Sequence, residues 1–146
     1  MKNIAIVLLA TLTWLQVSGA EGEWLTDFDK AKAKAKAENK MILLDFTGSD
    51  WCPPCKSLHK NVLSTEEFLK YAKDNLVLVE VDFPRKKAQS AALKKANQEL
   101  ARKFEVEAYP TIVVLDSNGK ELSKKAGYGG EKAKDFIAKV DALKKR

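Results

Sequence analysis

Three stretches of this chain are apolar almost without interruption. Met41 to Thr47 is broken by a single acid, Asp45; Leu76 to Val81 is broken by Glu80; Thr111 to Leu115 is not broken by any charge. Short runs with so little alternation predict strands covered on both faces. Elsewhere the apolar residues recur at helical spacing. Leu93, Ala96, Leu100 and Phe104 predict a helix over 86–103, and Ala133, Phe136, Ile137, Val140 and Leu143 predict a last one over 131–143. The stretch Ala31 to Ala37 alternates alanine with lysine, the period of a strand. Both residues form helices well and strands poorly, so composition overrides period and predicts a helix.

Polar punctuation sets the boundaries. Thr26 is placed to cap the first helix, with Asp29 in its first turn and Asn39 at its end. Ser64-Thr65-Glu66-Glu67 reads as a capping box, Ser64 the cap and Glu67 reaching back, ahead of a helix through Phe68 and Tyr71 to Lys73. Pro53 and Pro54 suit the first turn of a helix beginning at Cys52 or Pro53 and running to about Asn61. Asp116 to Gly119 predicts a hairpin turn, with Asn118-Gly119 supplying positive φ angles, and a lysine-rich edge strand follows from Glu121 to Lys125. The predicted order is helix, strand, helices, strand, helix, then a strand hairpin and a helix. That is an α/β fold: a central mixed sheet with helices on both faces and a C-terminal hairpin plus helix.

The length, 146 residues, suits one domain. The first twenty residues read differently from the rest. Lys2, the apolar run Ile4–Leu12 extended less cleanly to Val17, and then Ser18-Gly19-Ala20 have the layout of a secretory signal cut after Ala20. The expected organisation is a signal at 1–20 and a domain at 21–146, delivered to the periplasm or secreted. The run is shorter than the roughly 20 apolar residues of a spanning helix, so no stable membrane insertion is expected after cleavage. Charge changes the picture little. Lysine and arginine number 26 against 20 acids, and the excess is spread along the chain. It is not interleaved with arginines and aromatics, so nucleic acid is not an expected partner. An excess of this kind would attract acidic partners or an anionic membrane surface only weakly.

Only two cysteines are present, Cys52 and Cys55, inside Ser49-Asp50-Trp51-Cys52-Pro53-Pro54-Cys55-Lys56. A zinc site usually takes four ligands, and the chain has one histidine, His59, and no second cysteine pair. A structural staple closing so short a loop gains only about 2 kcal/mol in the entropy model. A redox pair needs what this spacing offers, a bond that forms and breaks without unfolding the domain. At a helix N-terminus, free N–H groups and the dipole favour a thiolate. That makes Cys52 the expected nucleophile and Cys55, one turn inside, the resolving thiol. Pro53 and Pro54 stiffen the turn and remove two donors that could have stabilised the thiolate.

Asp45-Phe46 on a strand, then Trp51-Cys52-Pro53-Pro54-Cys55-Lys56, then Tyr109-Pro110-Thr111 opening a late strand, together resemble the thioredoxin family. The resemblance spans the chain from about Trp24 onward and looks closest to secreted, single-domain bacterial members. It implies a thioredoxin-like fold and thiol–disulfide exchange with protein substrates in the cell envelope. It also implies roles: Pro110 a cis-proline facing the cysteines, Thr111 and the backbone of Tyr109 flanking the substrate, and Trp51 walling the site. Gly127 to Gly129, with Tyr128, would form a rim. Pro53, Pro54 and Lys56 would tune the potential, and Asp45 would move the proton off the resolving thiol. The chain departs from the family in two places. One extra residue lies between Asp45 and Cys52, around Gly48-Ser49, and the segment from Phe83 to Val106 is longer than in compact thioredoxins.

The family uses no metal, flavin or nucleotide, so the expected cofactor is none beyond the Cys52–Cys55 disulfide. The expected partners are disulfide-containing client proteins and a redox-recycling protein, with the chain itself a monomer. Pro53-Pro54 lacks the histidine found in strong oxidants, which favours a reductant or mid-potential exchanger. The alternative from another class is a thioredoxin-like module that holds clients without turning them over.

Overall fold

The computed structural model describes residues 22–145; the expected signal at 1–20 lies outside the described residues. Strand β1 is Trp24–Leu25, helix α1 Phe28–Glu38 and strand β2 Met41–Thr47. Helix α2, Pro53–Leu58, continues as a π-helical turn over His59–Leu63. Then come α3 (Glu66–Asn75), β3 (Leu76–Asp82), α4 (Ala91–Lys103), β4 (Thr111–Leu115), β5 (Glu121–Ala126) and α5 (Ala133–Asp141), with a 3-10 turn over Ala142–Lys145. The sheet order is β1-β3-β2-β4-β5. Strands β1 and β2 both run parallel to β3, while β4 is antiparallel to β2 and β5 antiparallel to β4. The mixed sheet expected from the sequence is therefore present. No helix among the described residues is long and apolar enough to cross a membrane.

Both faces of β2 and β3 are buried, as their unbroken apolar runs require. Leu43, Leu78 and Ile112 face Leu58, Val62 and Phe68, the side covered by α2, α3 and α5. Ile42, Leu44 and Phe46 face Ala31, Leu100 and Phe104, the side covered by α1 and α4. Helix α1 shows why the alanine–lysine alternation is helical. Ala31 and Ala35, four residues apart, are fully buried against the sheet, and the lysines lie on the other faces. Phe68 and Phe136 meet edge to face at 5.8 Å and lock α3 to α5; truncating a buried phenylalanine of this kind to alanine costs about 3–5 kcal/mol.

Several boundaries differ from the sequence-based expectation. The cap of α1 is Asp27, not Thr26; its carboxylate accepts the N–H groups of Asp29 and Lys30. The cap of α3 is Thr65, not Ser64, and its hydroxyl accepts the N–H of Phe68. Ser64 is instead used by the preceding turn, donating to the carbonyl of His59. In the hairpin only Gly119 takes a positive φ, +86°. The Asp116 carboxylate accepts the N–H groups of Asn118 and Lys120, so the acid shapes the turn and Asn118 need not. The last helix is α only over Ala133–Asp141. The largest change is at α4, which begins at Ala91 with Ser90 as its cap. Residues 83–90, expected in part to be helical, form an irregular segment held by the turn that precedes Cys52. Strand β1 has no periodicity to announce it; two residues pair with Leu78 and Val79 at the edge of the sheet.

Candidate active site

Strand β2 ends at Thr47 and the chain turns at Gly48, whose carbonyl accepts the N–H groups of Trp51 (3.2 Å) and Cys52 (2.9 Å). Cys52 is the N-cap of α2, with extended backbone, and its carbonyl accepts the N–H of Lys56. Pro53 and Pro54 follow at the first two helical positions, where the missing donors cost the helix nothing. Cys55 sits one turn in. The two sulfurs are bonded to each other across a Cα–Cα distance of 5.3 Å, and both residues are only 3 % exposed. The molecule is thus in its oxidised form. Lys56 is exposed, on the turn after Cys55. His59 is exposed at the start of the π turn, off the site itself.

Strand β4 brings the second half of the site. It pairs antiparallel with β2, Thr111 opposite Phe46, so the start of β4 lies beside the end of β2 where the cysteine turn begins. The Tyr109–Pro110 peptide is cis. The Thr111 hydroxyl donates to the carbonyl of Ala108 at 2.7 Å, which occupies the side chain locally. The carbonyl of Pro110 accepts the N–H of Gly127, tying the glycine loop to the same edge. Tyr128 turns away into the α5 side of the core and donates its hydroxyl to the carbonyl of Glu131. Tyr109 stands edge-on to Trp51 at 6.0 Å and tilted against Phe83 at 5.2 Å. Burial raises its phenol pKa.

Asp45 is 6 % exposed and its Oδ1 has no hydrogen-bond partner among the described residues. Alternation along β2 puts it on the face of Met41 and Leu43, the face that α2 covers. Its in-register neighbours are Glu80 on β3 and Ile112 on β4. Burial, and then the negative charges of Glu80 and Asp82, push its pKa from 3.8 to about 7. Glu80 is also raised, by burial and by Asp82, against the pull of Lys87 and His59. A carboxyl that titrates near neutrality beneath the helix bearing the cysteines is suited to taking and giving a proton.

Sequence reasoning missed the framework that holds the cysteine turn. Asp82, 4 % exposed, accepts the N–H of Ser49 (2.9 Å) and its hydroxyl (2.6 Å), and pairs with the Lys87 ammonium at 3.1 Å. Asp50 accepts three consecutive backbone N–H groups, from Arg85, Lys86 and Lys87, at 2.7–3.0 Å. Those bonds pull its carboxyl pKa down to about 2. The Trp51 indole donates to the carbonyl of Phe83 at 2.8 Å, and the Arg85 guanidinium lies 3.7 Å above its ring. The only advance sign of this arrangement was the unusual length of the segment after β3.

The thioredoxin-like domain family matches residues 28–144. The chain is 36 % identical over 131 residues to the disulfide bond reductase DsbH of Chlamydia pneumoniae, covering 89 % of this chain and 78 % of that protein. It is 27 % identical to the thioredoxin-related protein DsbJ of the same organism, across 99 % of this chain but only 45 % of DsbJ. Among solved structures, one titled DsbH oxidoreductase superposes with a TM-score of 0.80 at 30 % identity, over 99 % of this chain and 94 % of that one. A thioredoxin from Thermus thermophilus, at 21 % identity and a TM-score of 0.61 over 84 % of this chain and 88 % of that one, shares the fold.

Proposed function

The chain belongs to the thioredoxin-like family, and from that premise we propose that this thiol–disulfide oxidoreductase reduces protein disulfides in the cell envelope with Cys52 as its nucleophile. In the reduced enzyme the Cys52 thiolate attacks one sulfur of a client disulfide, forming a mixed disulfide and expelling a client thiolate, which takes a proton. Cys55 then loses its proton to the Asp45 carboxylate and attacks the Cys52 sulfur. The second client thiolate leaves and is protonated, and the enzyme is left with its Cys52–Cys55 bond. The client gains two electrons and two protons; a dithiol partner returns the same to the enzyme.

The observation that carries this reading is the Cys52–Cys55 bond itself, at the N-cap of α2 and beside the edge where Pro110 opens β4. Cys52 presents the sulfur nearest the helix N-terminus, where an anion is favoured. Trp51 and Tyr109 wall the approach, with the buried Pro110 and Thr111 behind them, and the backbone at Tyr109, just ahead of β4, is where an extended client segment would lie. Pro53, Pro54 and Lys56 set the balance between thiolate and disulfide. Reduction rather than oxidation is favoured because the Pro53-Pro54 pair offers neither a histidine nor N–H donors to stabilise the Cys52 thiolate. The name of the Chlamydia pneumoniae relative, disulfide bond reductase, points the same way. Delivery to the periplasm follows from the signal read at residues 1–20, and cleavage after Ala20 is checked by sequencing the N-terminus of the exported protein.

Insulin reduction in the presence of dithiothreitol tests the activity. The wild-type chain is expected to accelerate it, and Cys52→Ser to abolish the acceleration. Equilibration of the Cys52–Cys55 bond with glutathione tests the direction. A potential near that of a strong oxidant, about −120 mV, would overturn it, whereas a reductant falls nearer −270 mV.

A further inference from the structure

We propose that the segment Phe83–Lys87 is a client-selecting lip, a cationic edge to the active site that favours disulfides flanked by acidic residues. The inference rests on the reading of the chain as an oxidoreductase of protein disulfides.

The lip is fastened to the cysteine turn at successive residues. Asp82, where it leaves β3, holds Ser49. The Phe83 carbonyl holds the Trp51 indole. The N–H groups of Arg85, Lys86 and Lys87 all converge on Asp50. From behind, Gln89 and Asn97 both donate to the Asp82 carbonyl at 3.0 Å. Its backbone is therefore set in place before any client arrives, which reduces the ordering cost of a contact.

The same bonds decide its charge. The buried carboxylate of Asp82 is taken by the Ser49 N–H and hydroxyl and the Lys87 ammonium, and the half-buried carboxylate of Asp50 accepts the three amides of the lip. Lys87 is thereby paired with Asp82, while neither carboxylate lies within 4 Å of the Arg85 or Lys86 cation among the described residues. Arg85 and Lys86 are exposed, and among the described residues neither makes an ion pair within 4 Å, nor does Lys56 on the turn after Cys55. Arg85 is held over the face of Trp51 at 3.7 Å, which places an exposed guanidinium beside the active-site wall, a group suited to binding a carboxylate. Glu105 and Glu107 are exposed too, but they belong to the stretch before Pro110, not to the lip. A rim charge of one sign next to the reacting sulfur raises the encounter rate of clients of opposite sign and lowers that of like ones.

Two disulfide-bridged peptides, identical except for glutamates or lysines flanking the cystine, provide the test. The reduced protein should reduce the glutamate peptide with kcat/KM at least about tenfold above the lysine peptide at low salt, with the gap closing at high salt. The double variant Arg85→Glu, Lys86→Glu should lose or invert that ratio. Because both peptides are read on one preparation, partial misfolding cancels. A ratio near one in the wild type, or a ratio unchanged in the variant, overturns the proposal alone. Reduction of neither peptide overturns the parent reading with it. Equal peptide rates with Arg85-dependent binding to phosphatidylglycerol vesicles would assign the lip to a lipid surface and overturn it likewise.

Discussion

A Cβ atom at Gly48 would lie 2.4 Å from Cε2 of Trp51; the indole occupies the space any other residue there would need. The glycine is thus a packing requirement of the active-site wall. Gly48→Ala must displace the ring, and with it the bond to the Phe83 carbonyl and the stack under Arg85. We expect a loss of about 1–3 kcal/mol in stability, the usual range for overpacking, together with slowed client reduction. The indole N–H resonance of Trp51 should shift toward that of a solvent-exposed indole. An unchanged resonance and unchanged stability would show that the ring is not packed against residue 48.

Asp45 should make the protein less stable as pH rises. Its folded pKa is about 7 against 3.8 for the ordinary carboxyl. An acid whose folded value is raised takes up a proton on folding. Its burden on stability is absent below about pH 4, grows between about 4 and 7, and is constant above. The full burden corresponds to about 4 kcal/mol. Asp45→Leu should therefore raise the urea midpoint by much more at pH 8 than at pH 4. The same variant should slow client release from the mixed disulfide, because Cys55 loses its base. A stability gain that did not vary with pH would mean Asp45 is not the group being neutralised, and a gain in turnover would remove its proton-transfer role.

The two cysteines should separate in their chemistry. Cys55→Ser leaves the nucleophile without its resolving partner and is expected to accumulate mixed disulfides with clients, seen on non-reducing gels and dissolved by dithiothreitol. Cys52→Ser should trap none, since Cys55 lies one turn inside α2, away from the N-terminal end that favours a thiolate. In the reduced wild type, iodoacetamide should modify Cys52 well before Cys55 near neutral pH. Equal trapping by both variants would deny the assigned order of attack.

The core strands and the cysteine turn were legible because each rests on a local rule. Met41–Thr47 and Thr111–Leu115 are apolar at every position but Asp45 and the terminal threonines, and only a doubly covered strand accommodates that. Cys52 ahead of two prolines leaves few options besides a helix start. What was not legible depends on distant partners. Residues 86–90 carry Lys86, Lys87 and Ala88, good helix formers, yet they are not helical. The N–H groups of Lys86 and Lys87 are taken by Asp50, more than thirty residues earlier, and local propensity of a few tenths of a kcal/mol per residue yields to that. Thr65 displaces Ser64 as a cap for a similar reason, since Ser64 is already engaged with His59. Strand β1 is two residues long and exists only because the edge of β3 is there to receive it.

Asp50 should govern whether the lip stays closed on the active site. Its carboxylate is the common acceptor for three consecutive amides, and no other described side chain accepts them. Asp50→Ala removes all three bonds at once, leaving the amides of Arg85, Lys86 and Lys87 to water. Their hydrogen exchange should speed up roughly five- to tenfold for each bond lost, while amides in β2 and β3 are expected to hold. Asp50→Asn keeps a carbonyl acceptor and should fall between. Acid should act in the same direction as the alanine variant. The folded pKa is depressed from 3.8 to about 2, so the contribution of the ionised group is complete above about pH 4 and is lost as pH falls through about 2. Exchange at the three amides, corrected for its intrinsic pH dependence, should therefore be flat down to about pH 4 in the wild type. If it already rose between pH 7 and 5, a histidine or another weak acid, and not Asp50, would be the clamp.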